Sequence, residues 1–202
     1  MRKEDDIPTG YTRVTEILSS YISFDNVPSE SLQKATTRGS RVHDHCEYHA
    51  LSLFVEEPDE ECKLYVDSFK KWFDLMVDKV YHTEMRLNHP TYKFSGKFDM
   101  LVHIKSDPAD CITVLDIKTP QTKSLSWELQ TAAYHILVEE VLGFKVERRM
   151  ALILNKDGRI AKPIEHTDHK KDKDLFLKAV EIHRFFKLKK KKWDNNHLTS
   201  TE

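Results

Sequence analysis

Apolar positions recur at helical spacing in the first eighty residues and at strand spacing in much of the remainder. Intervals of three and four predict helices at 14–22, from Ser29 to about Phe54 with a break near Gly39, and at 59–80. Alternating or continuous apolar runs predict strands at 81–87, 91–104, 111–119, 145–155 and 159–164, with helices at 124–143 and about 172–188. This order predicts an α/β fold, a mixed central β-sheet flanked by helices and preceded by an N-terminal helical region.

No repeat or linker divides the chain, so we expect one domain over residues 1–202. Its parts are an N-terminal helical region (1–80), a sheet core with one helix (81–165), and a C-terminal helix with a basic tail (166–202). In the strand at 91–104, alternation places two sets of side chains on opposite faces. The apolar set is Phe94, Phe98, Met100, Val102 and Ile104, and the polar set is Lys97, Asp99 and His103.

The composition narrows the class of protein. The net charge is −1, so no chain-wide field attracts nucleic acid, and a basic patch must be local. Three cysteines without CxxC spacing indicate a reducing compartment. No apolar run reaches membrane-spanning length and no signal core is seen, so we expect a soluble cytoplasmic protein without a membrane partner.

Asp116 carries the strongest chemical signal, because it interrupts a strand that is otherwise apolar. Burial of a lone carboxylate is costly. Lys118 lies two residues on, on the same strand face, so one interpretation is a structural Asp–Lys pair at a strand end. The other requires Asp99, on the preceding antiparallel strand, to bring a second carboxylate. Paired carboxylates favour Mg²⁺ or Mn²⁺ between them, and a nearby lysine suits phosphodiester hydrolysis.

Four short motifs follow one another in the order of a known nuclease family. They are Arg38-Gly39 leading to His43, Gly96-x-x-Asp99, Asp116-x-Lys118-Thr119, and Gln130-x-x-x-Tyr134. With the opening "TRVTEIL" (12–18), they resemble the PD-(D/E)XK nuclease superfamily and, within it, RecB-like exonucleases of phage and mitochondrial genome maintenance types. The sequence departs from the pattern by having Phe98 in place of proline before the first acid.

The resemblance implies a restriction-endonuclease-like core and a role for each motif residue. Metal ligands would be Asp99, Asp116, the main-chain carbonyl of Ile117, His43 and, as a further candidate, Glu84. Lys118 would orient the attacking water, and Gln130 would assist in catalysis. DNA contacts would come from Tyr134, Gln130, Arg38 and the tail residues Lys189, Lys190, Lys191 and Lys192. Iron–sulfur members need cysteines after the core, which this chain lacks, so we expect no cluster.

Several residues keep a second interpretation. Glu84 is either a metal-site residue or a solvent-facing strand residue. Gln130 and Tyr134 are either DNA contacts or the hydrogen-bonded edge of the core. The lysine-rich tail is either a phosphate-binding segment, with Trp193 stacking on a base, or a solvated helix end. His45, Cys46 and His49 offer three zinc ligands from one helix, but no fourth ligand is evident and we expect no structural zinc.

The functional hypothesis is a metal-dependent DNA nuclease that uses Mg²⁺ or Mn²⁺ and releases 5′-phosphate products. The resemblance favours an exonuclease acting on single-stranded or double-stranded DNA ends in recombination, repair or replication, in a bacterial host and of phage type. A structure-specific endonuclease and a non-catalytic DNA-binding module are the alternatives. The sequence leaves open an oligomer and a recombination partner protein.

Overall fold

The computed structural model describes residues 7–22, 28–120 and 122–198, and the side chains up to residue 189. In this part of the chain there are six strands and five α-helices. The strands are β1 (Thr12–Arg13), β2 (Val77–Asn88), β3 (Phe94–Ile104), β4 (Ile112–Lys118), β5 (Val146–Ile153) and β6 (Lys162–Glu165). The helices are α1 (Val14–Ser19), α2 (Ser29–Ala50), α3 (Glu60–Met76), α4 (Ser126–Leu137) and α5 (His169–Leu198), and a π-helical turn (Val138–Leu142) continues α4.

The strands form one mixed sheet, which confirms the predicted α/β class. Strand β3 pairs with three others: antiparallel with β2 and β4, and parallel with the short β1. Strand β4 then runs parallel to β5, and β6 closes the sheet antiparallel to β5. Connection of the parallel strands β4 and β5 requires a crossover, which α4 supplies.

Two apolar clusters hold the helices to the sheet. In the first, β3 and β4 pack with α1, α4 and α5, including Phe98, Tyr134 and Phe176. In the second, the same two strands pack with α2 and α3, including Cys46 and Phe69. Strands covered on both sides explain the near-continuous apolar sequence of β4. None of the described helices is long and apolar enough to cross a membrane.

Two predicted helix features are wrong. Helix α2 runs through Gly39 without a break. The helix predicted at 59–80 ends at Met76, and the chain continues directly into β2, where Val77 pairs with Ile104. Val77 and Val80 also fit helical spacing, but pairing with β3 decides in favour of the strand, since β-branched residues suit a sheet.

The prediction that the alternate apolar side chains of β3 all lie on one face of the sheet is also only partly correct. Phe94 and Phe98 belong to the first cluster, whereas Met100, Val102 and Ile104 belong to the second. The change of side falls at Asp99. Across from it in β2 lies Glu84, between the pairs Thr83–Met100 and Met85–Phe98, with a φ of +46°. A positive φ is unusual for a residue with a side chain and interrupts the regular alternation of the strand.

Candidate active site

Asp99 and Asp116 lie where β3 and β4 separate. The ladder between these strands runs from Val102–Thr113 to Met100–Leu115, and the two acids come immediately after its last pair. Both are buried, at 8% and 3% exposure. Beyond this point β4 stays paired with β5 as far as Lys118. At the two acids, β3 and β4 therefore no longer pair with each other.

A group of three possible metal ligands surrounds Asp99. Asp99 Oδ1 lies 3.2 Å from Nδ1 of His43 on α2, and Glu84 Oε1 lies 3.8 Å from the same nitrogen. One ligand atom of each residue lies within 4.8 Å of those of the other two. Among the described residues no other set of His, Cys, Asp and Glu meets this condition. The predicted ligands His43, Glu84 and Asp99 thus converge, whereas Asp116 is not a member of the group.

The electrostatics of this group are those of a cation site. Burial alone would lower the pKa of His43, but the carboxylates of Asp99 and Glu84 outweigh it and raise the pKa to about 10. Burial would raise the pKa of Glu84, yet the neighbouring His43 and Lys97 lower it to about 2. A protonated imidazole therefore supplies the positive charge that the two carboxylates require.

Asp116 begins a line of polar contacts that leads to α4. Its Oδ2 lies 2.5 Å from Nζ of Lys118, and that ammonium donates to Gln130 Oε1 at 2.9 Å. Gln130 Nε2 in turn donates to the hydroxyl of Tyr134 at 2.8 Å. Burial raises the pKa of Asp116 to about 6, against the opposing effect of Lys118. The predicted residues Asp116, Lys118, Gln130 and Tyr134 are thus joined side chain to side chain.

One backbone contact connects this line with the ligand group. The amide of Ile117 donates to Oδ2 of Asp99 at 2.5 Å, so the carboxylate of β3 is held by the backbone between Asp116 and Lys118. The sequence predicts the carbonyl of Ile117 as a metal ligand. The contact observed here is made by its amide, and the role of the carbonyl stays a prediction.

Gly96, the first residue of the G-x-x-D motif, is required by close packing. A Cβ at this position would lie 2.6 Å from a methyl carbon of Leu137 and 3.0 Å from the Tyr134 ring. A side chain here would therefore displace the Leu137 side chain and crowd the Tyr134 ring. The glycine therefore brings Tyr134 and Gln130 close to the acids.

A pocket of about 480 Å³ opens beside the ligand group. It is lined by α2, by β2 and β3 and by the residues that follow β4, and Arg38, His43, Glu84 and Lys97 all contribute. The guanidinium of Arg38 lies 5.3 Å from the centre of the Tyr65 ring, at the wall of this pocket. The predicted DNA contact Arg38 therefore has access to any ligand that enters.

Sequence reasoning missed two residues of the site. Lys97 was expected only to share the polar face of β3, yet its Nζ lies 2.6 Å from Oε2 of Glu84. Trp127 presents its ring 5.5 Å from the ammonium of Lys118. For Lys97, the signal in the sequence is its position two residues before Asp99 on the same strand. For Trp127, the available signal was its position one helical turn before Gln130.

The zinc alternative finds no support in the side-chain positions. Cys46 is buried in the core between α2 and α3. His49 instead contacts Asp74 at 2.7 Å.

In the basic tail, Lys189 is exposed on α5 with its ammonium 5.6 Å from the Phe185 ring. The side chains of Lys190, Lys191, Lys192 and Trp193 lie outside the described residues.

The donor set suits a hard divalent cation. The buried carboxylate of Asp99, the half-buried carboxylate of Glu84 and the imidazole of His43 converge beside the pocket, and the buried carboxylate of Asp116 lies on the neighbouring strand. Carboxylate-rich sites select Mg²⁺ and Mn²⁺, whereas zinc favours sites with cysteine and several histidines. The residues present therefore fit such an ion.

Comparison with known proteins assigns this arrangement to a family. Similar solved structures include SSO0001, 16% identical over 90% of this chain and 76% of that one (TM-score 0.43). The alkaline exonuclease LHK-Exo from Laribacter hongkongensis is 13% identical over 91% and 95% (TM-score 0.42), and its complex with dAMP gives 0.41 with the same identity and coverage. No curated protein matches the chain. The family model of the PD-(D/E)XK nuclease superfamily matches residues 18–197. The chain belongs to the PD-(D/E)XK nuclease superfamily.

Proposed function

We propose that this nuclease hydrolyses DNA with the help of Mg²⁺ or Mn²⁺, and that it is a RecB-like exonuclease acting on DNA ends. One observation carries the proposal: the unbroken line Asp116–Lys118–Gln130–Tyr134 is joined to the group His43–Glu84–Asp99 by the backbone amide of Ile117, which donates to Asp99. A structural Asp–Lys pair would explain the first contact of that line. It would not explain why Lys118 also contacts Gln130. It would also not explain why His43, Glu84 and Asp99 offer three further ligand atoms nearby.

The metal ion would be held by Asp99, with His43, Glu84, Asp116 and the carbonyl of Ile117 as further ligands. When bound, it would polarise the scissile phosphate and stabilise charge on the leaving oxygen. The carboxylates of Asp99 and Glu84 raise the pKa of His43, so its imidazole must lose a proton before it can be a ligand. Metal affinity is therefore expected to increase with pH.

Lys118 would orient the attacking water. Its ammonium forms an ion pair with Asp116 and donates one hydrogen bond to Gln130. A further N–H of the same ammonium would hold a water or a phosphate oxygen. Gln130 fixes the direction of this ammonium because its own amide is fixed by Tyr134. A lysine held by an ion pair and a hydrogen bond is preorganised for charge that develops in the transition state.

Arg38 and Tyr134 are proposed to contact the DNA near the scissile bond. Arg38 lies at the pocket wall, and a guanidinium binds phosphate oxygens in bidentate fashion. The phenol of Tyr134 is buried, and burial with the nearby Asp116 raises its pKa well above the usual value. Tyr134 therefore remains a neutral hydrogen-bond donor.

The test compares the wild type with Lys118→Ala on end-labelled single-stranded and double-stranded linear DNA and on a closed circle. Lys162→Ala, on the exposed part of β6, is a matched lysine control. Reactions contain Mg²⁺, Mn²⁺ or EDTA. Loss of linear DNA with wild type and the control, but not with Lys118→Ala or EDTA, supports the proposal.

If wild type cuts the closed circle and Lys118→Ala does not, the active-site assignment stands. The protein is then an endonuclease and not an exonuclease. Equal activity of Lys118→Ala and wild type would overturn the catalytic assignment. Absence of cleavage under every condition would favour the non-catalytic DNA-binding module.

A further inference from the structure

Helix α5 changes character along its length. In its first half Phe176, Ala179 and Val180 are buried against α1 and α4. Further along, large apolar side chains are turned outward, with exposures between 50% and 66%: Ile182, Phe185, Phe186 and Leu188. Several large apolar groups within one short exposed stretch mark an interaction surface.

This part of α5 forms a groove of about 880 Å³ with α1, which we call the α1–α5 groove. Tyr21, Ile182 and Phe186 are its apolar lining, and Lys187 and Lys189 also contribute. Lys187 contacts Glu16 of α1 at 3.0 Å and thereby joins the two walls. The α1–α5 groove shares no lining residue with the pocket beside Asp99.

The charge of this stretch is opposite to that of the rest of the chain. Residues 178–192 contain seven lysines and arginines and one acid, which is a net charge of +6. Because the whole chain has a net charge of −1, the other residues sum to −7. The groove therefore belongs to a concentrated basic segment on an otherwise acidic protein, and this segment is complementary to a polyanion.

Aromatic and basic groups alternate here in a way that suits one class of polyanion. The ring of Phe185 lies 5.6 Å from the ammonium of Lys189, and the exposed rings of Phe186 and Tyr21 both line the groove. Bases of a single strand stack on aromatic side chains while lysines neutralise the phosphates, without sequence preference. In a duplex the bases are stacked on one another and unavailable to such rings.

We propose that the α1–α5 groove is a second nucleic-acid site, where single-stranded DNA stacks its bases on Tyr21 and Phe186 while Lys189 contacts the phosphates. The inference rests on the proposed function, because DNA is the ligand in both. It adds a place where the strand is held away from the catalytic pocket.

Binding of a fluorescein-labelled oligothymidylate, measured by anisotropy in EDTA, tests the site without any cleavage. Phe186→Ala and Tyr21→Ala are each expected to weaken binding about 10-fold, since stacking on one aromatic ring is worth that much. Phe54→Ala, which removes a fully exposed phenylalanine elsewhere, is the matched control and should bind as wild type. Lys189→Ala should lower the dependence of log affinity on log salt concentration by about one.

Equal affinity of wild type, Phe186→Ala and Tyr21→Ala would overturn the inference. If binding is unchanged while Phe186→Ala abolishes self-association in sedimentation experiments, the groove is an interface for a second copy instead. Because the assay needs neither metal nor hydrolysis, its failure leaves the comparison of Lys118→Ala with wild type untouched.

Discussion

Two clusters of charged side chains in this protein both contain carboxylates. They differ in the positively charged groups that neutralise those carboxylates. Arg149 on β5 pairs with Asp172 of α5 at 2.6 Å and donates to the carbonyl of Glu128 at 3.0 Å. Arg149 is fully buried and Asp172 nearly so. In the ligand group, Glu84 and Asp99 depend on Lys97 and on a proton at His43.

The difference separates a structural cluster from a functional one. The arginine is permanently charged, so its pair with Asp172 stays neutral overall and has nothing to exchange. The proton on His43 is exchangeable, and the pocket gives other ions access to the two carboxylates. We therefore propose that a divalent cation takes the place of the proton in the second cluster, whereas nothing replaces Arg149 in the first. Substitutions in the two clusters should accordingly affect different properties.

The largest expected effect is a loss of catalytic activity in the variant Asp99→Asn. The amide keeps an acceptor for the Ile117 N–H but removes the charge that a cation requires, so the cleavage rate should fall about 10³-fold. Thermal stability should change little, because relief of the repulsion between Asp99 and Asp116 offsets the loss of the pair with His43. Initial rates on labelled DNA and a thermal melt measure the two effects. A melting temperature that falls together with the rate would make Asp99 a structural residue.

The second-largest expected effect is a loss of stability in the variant Arg149→Met. This change leaves Asp172 buried without its partner, which should lower the free energy of unfolding by about 3–5 kcal/mol. Arg159→Met breaks an exposed pair with Asp157 and should cost less than about 1 kcal/mol. Urea denaturation of both variants provides the measurement. Similar midpoints for the two would remove the structural role assigned to the buried pair.

Much of the fold and part of the site follow from local sequence signals. Strand and helix types are readable from apolar spacing in β3, β4 and α4, although the side that β3 buries changes at Asp99. The order of Asp99, Asp116, Lys118 and Gln130 is readable because the short motifs that contain them follow one another along the chain. These residues converge only once β3 lies next to β4 and α4 crosses back.

Other features depend on pairing that no local signal specifies. Lys97 contacts Glu84 only because of the register between β3 and β2, and the positive φ of Glu84 is a property of that pairing. The partners Arg149 and Asp172 are 23 residues apart on different elements. Strand β2 begins at Val77 because Ile104 is available to pair with it, which helical spacing cannot reveal.

A smaller effect on catalysis is expected for Lys97→Met. Without this lysine, Oε2 of Glu84 loses its ammonium partner, and the carboxylate is less well oriented towards His43 and Asp99. Loss of a residue that orients a ligand typically costs 10–100-fold in metal affinity, so we expect about 10-fold here. Free Mn²⁺ measured by electron paramagnetic resonance gives the affinity without DNA. Lys97→Arg should restore most of it, and an unchanged affinity in Lys97→Met would argue against this role.

The smallest effect concerns His166, which lies beside the buried arginine. Its Nδ1 lies 2.8 Å from the hydroxyl of Thr131, and burial, with Arg149 nearby, lowers the pKa of His166 to about 4. The unfolded chain, with an ordinary histidine pKa near 6.5, binds a proton more readily between these two values. The free energy of unfolding should therefore decrease as pH falls from about 6.5 towards 4.

Asp116 acts in the opposite direction over part of the same range, because its raised pKa favours folding at low pH. The difference between wild type and a variant is therefore the informative quantity. His166→Asn keeps a polar side chain near Thr131 and cannot titrate, so between pH 7 and pH 5 it should lose about 1 kcal/mol less than wild type in urea denaturation. Parallel pH profiles for the two proteins would show that His166 is protonated equally in the folded and unfolded states.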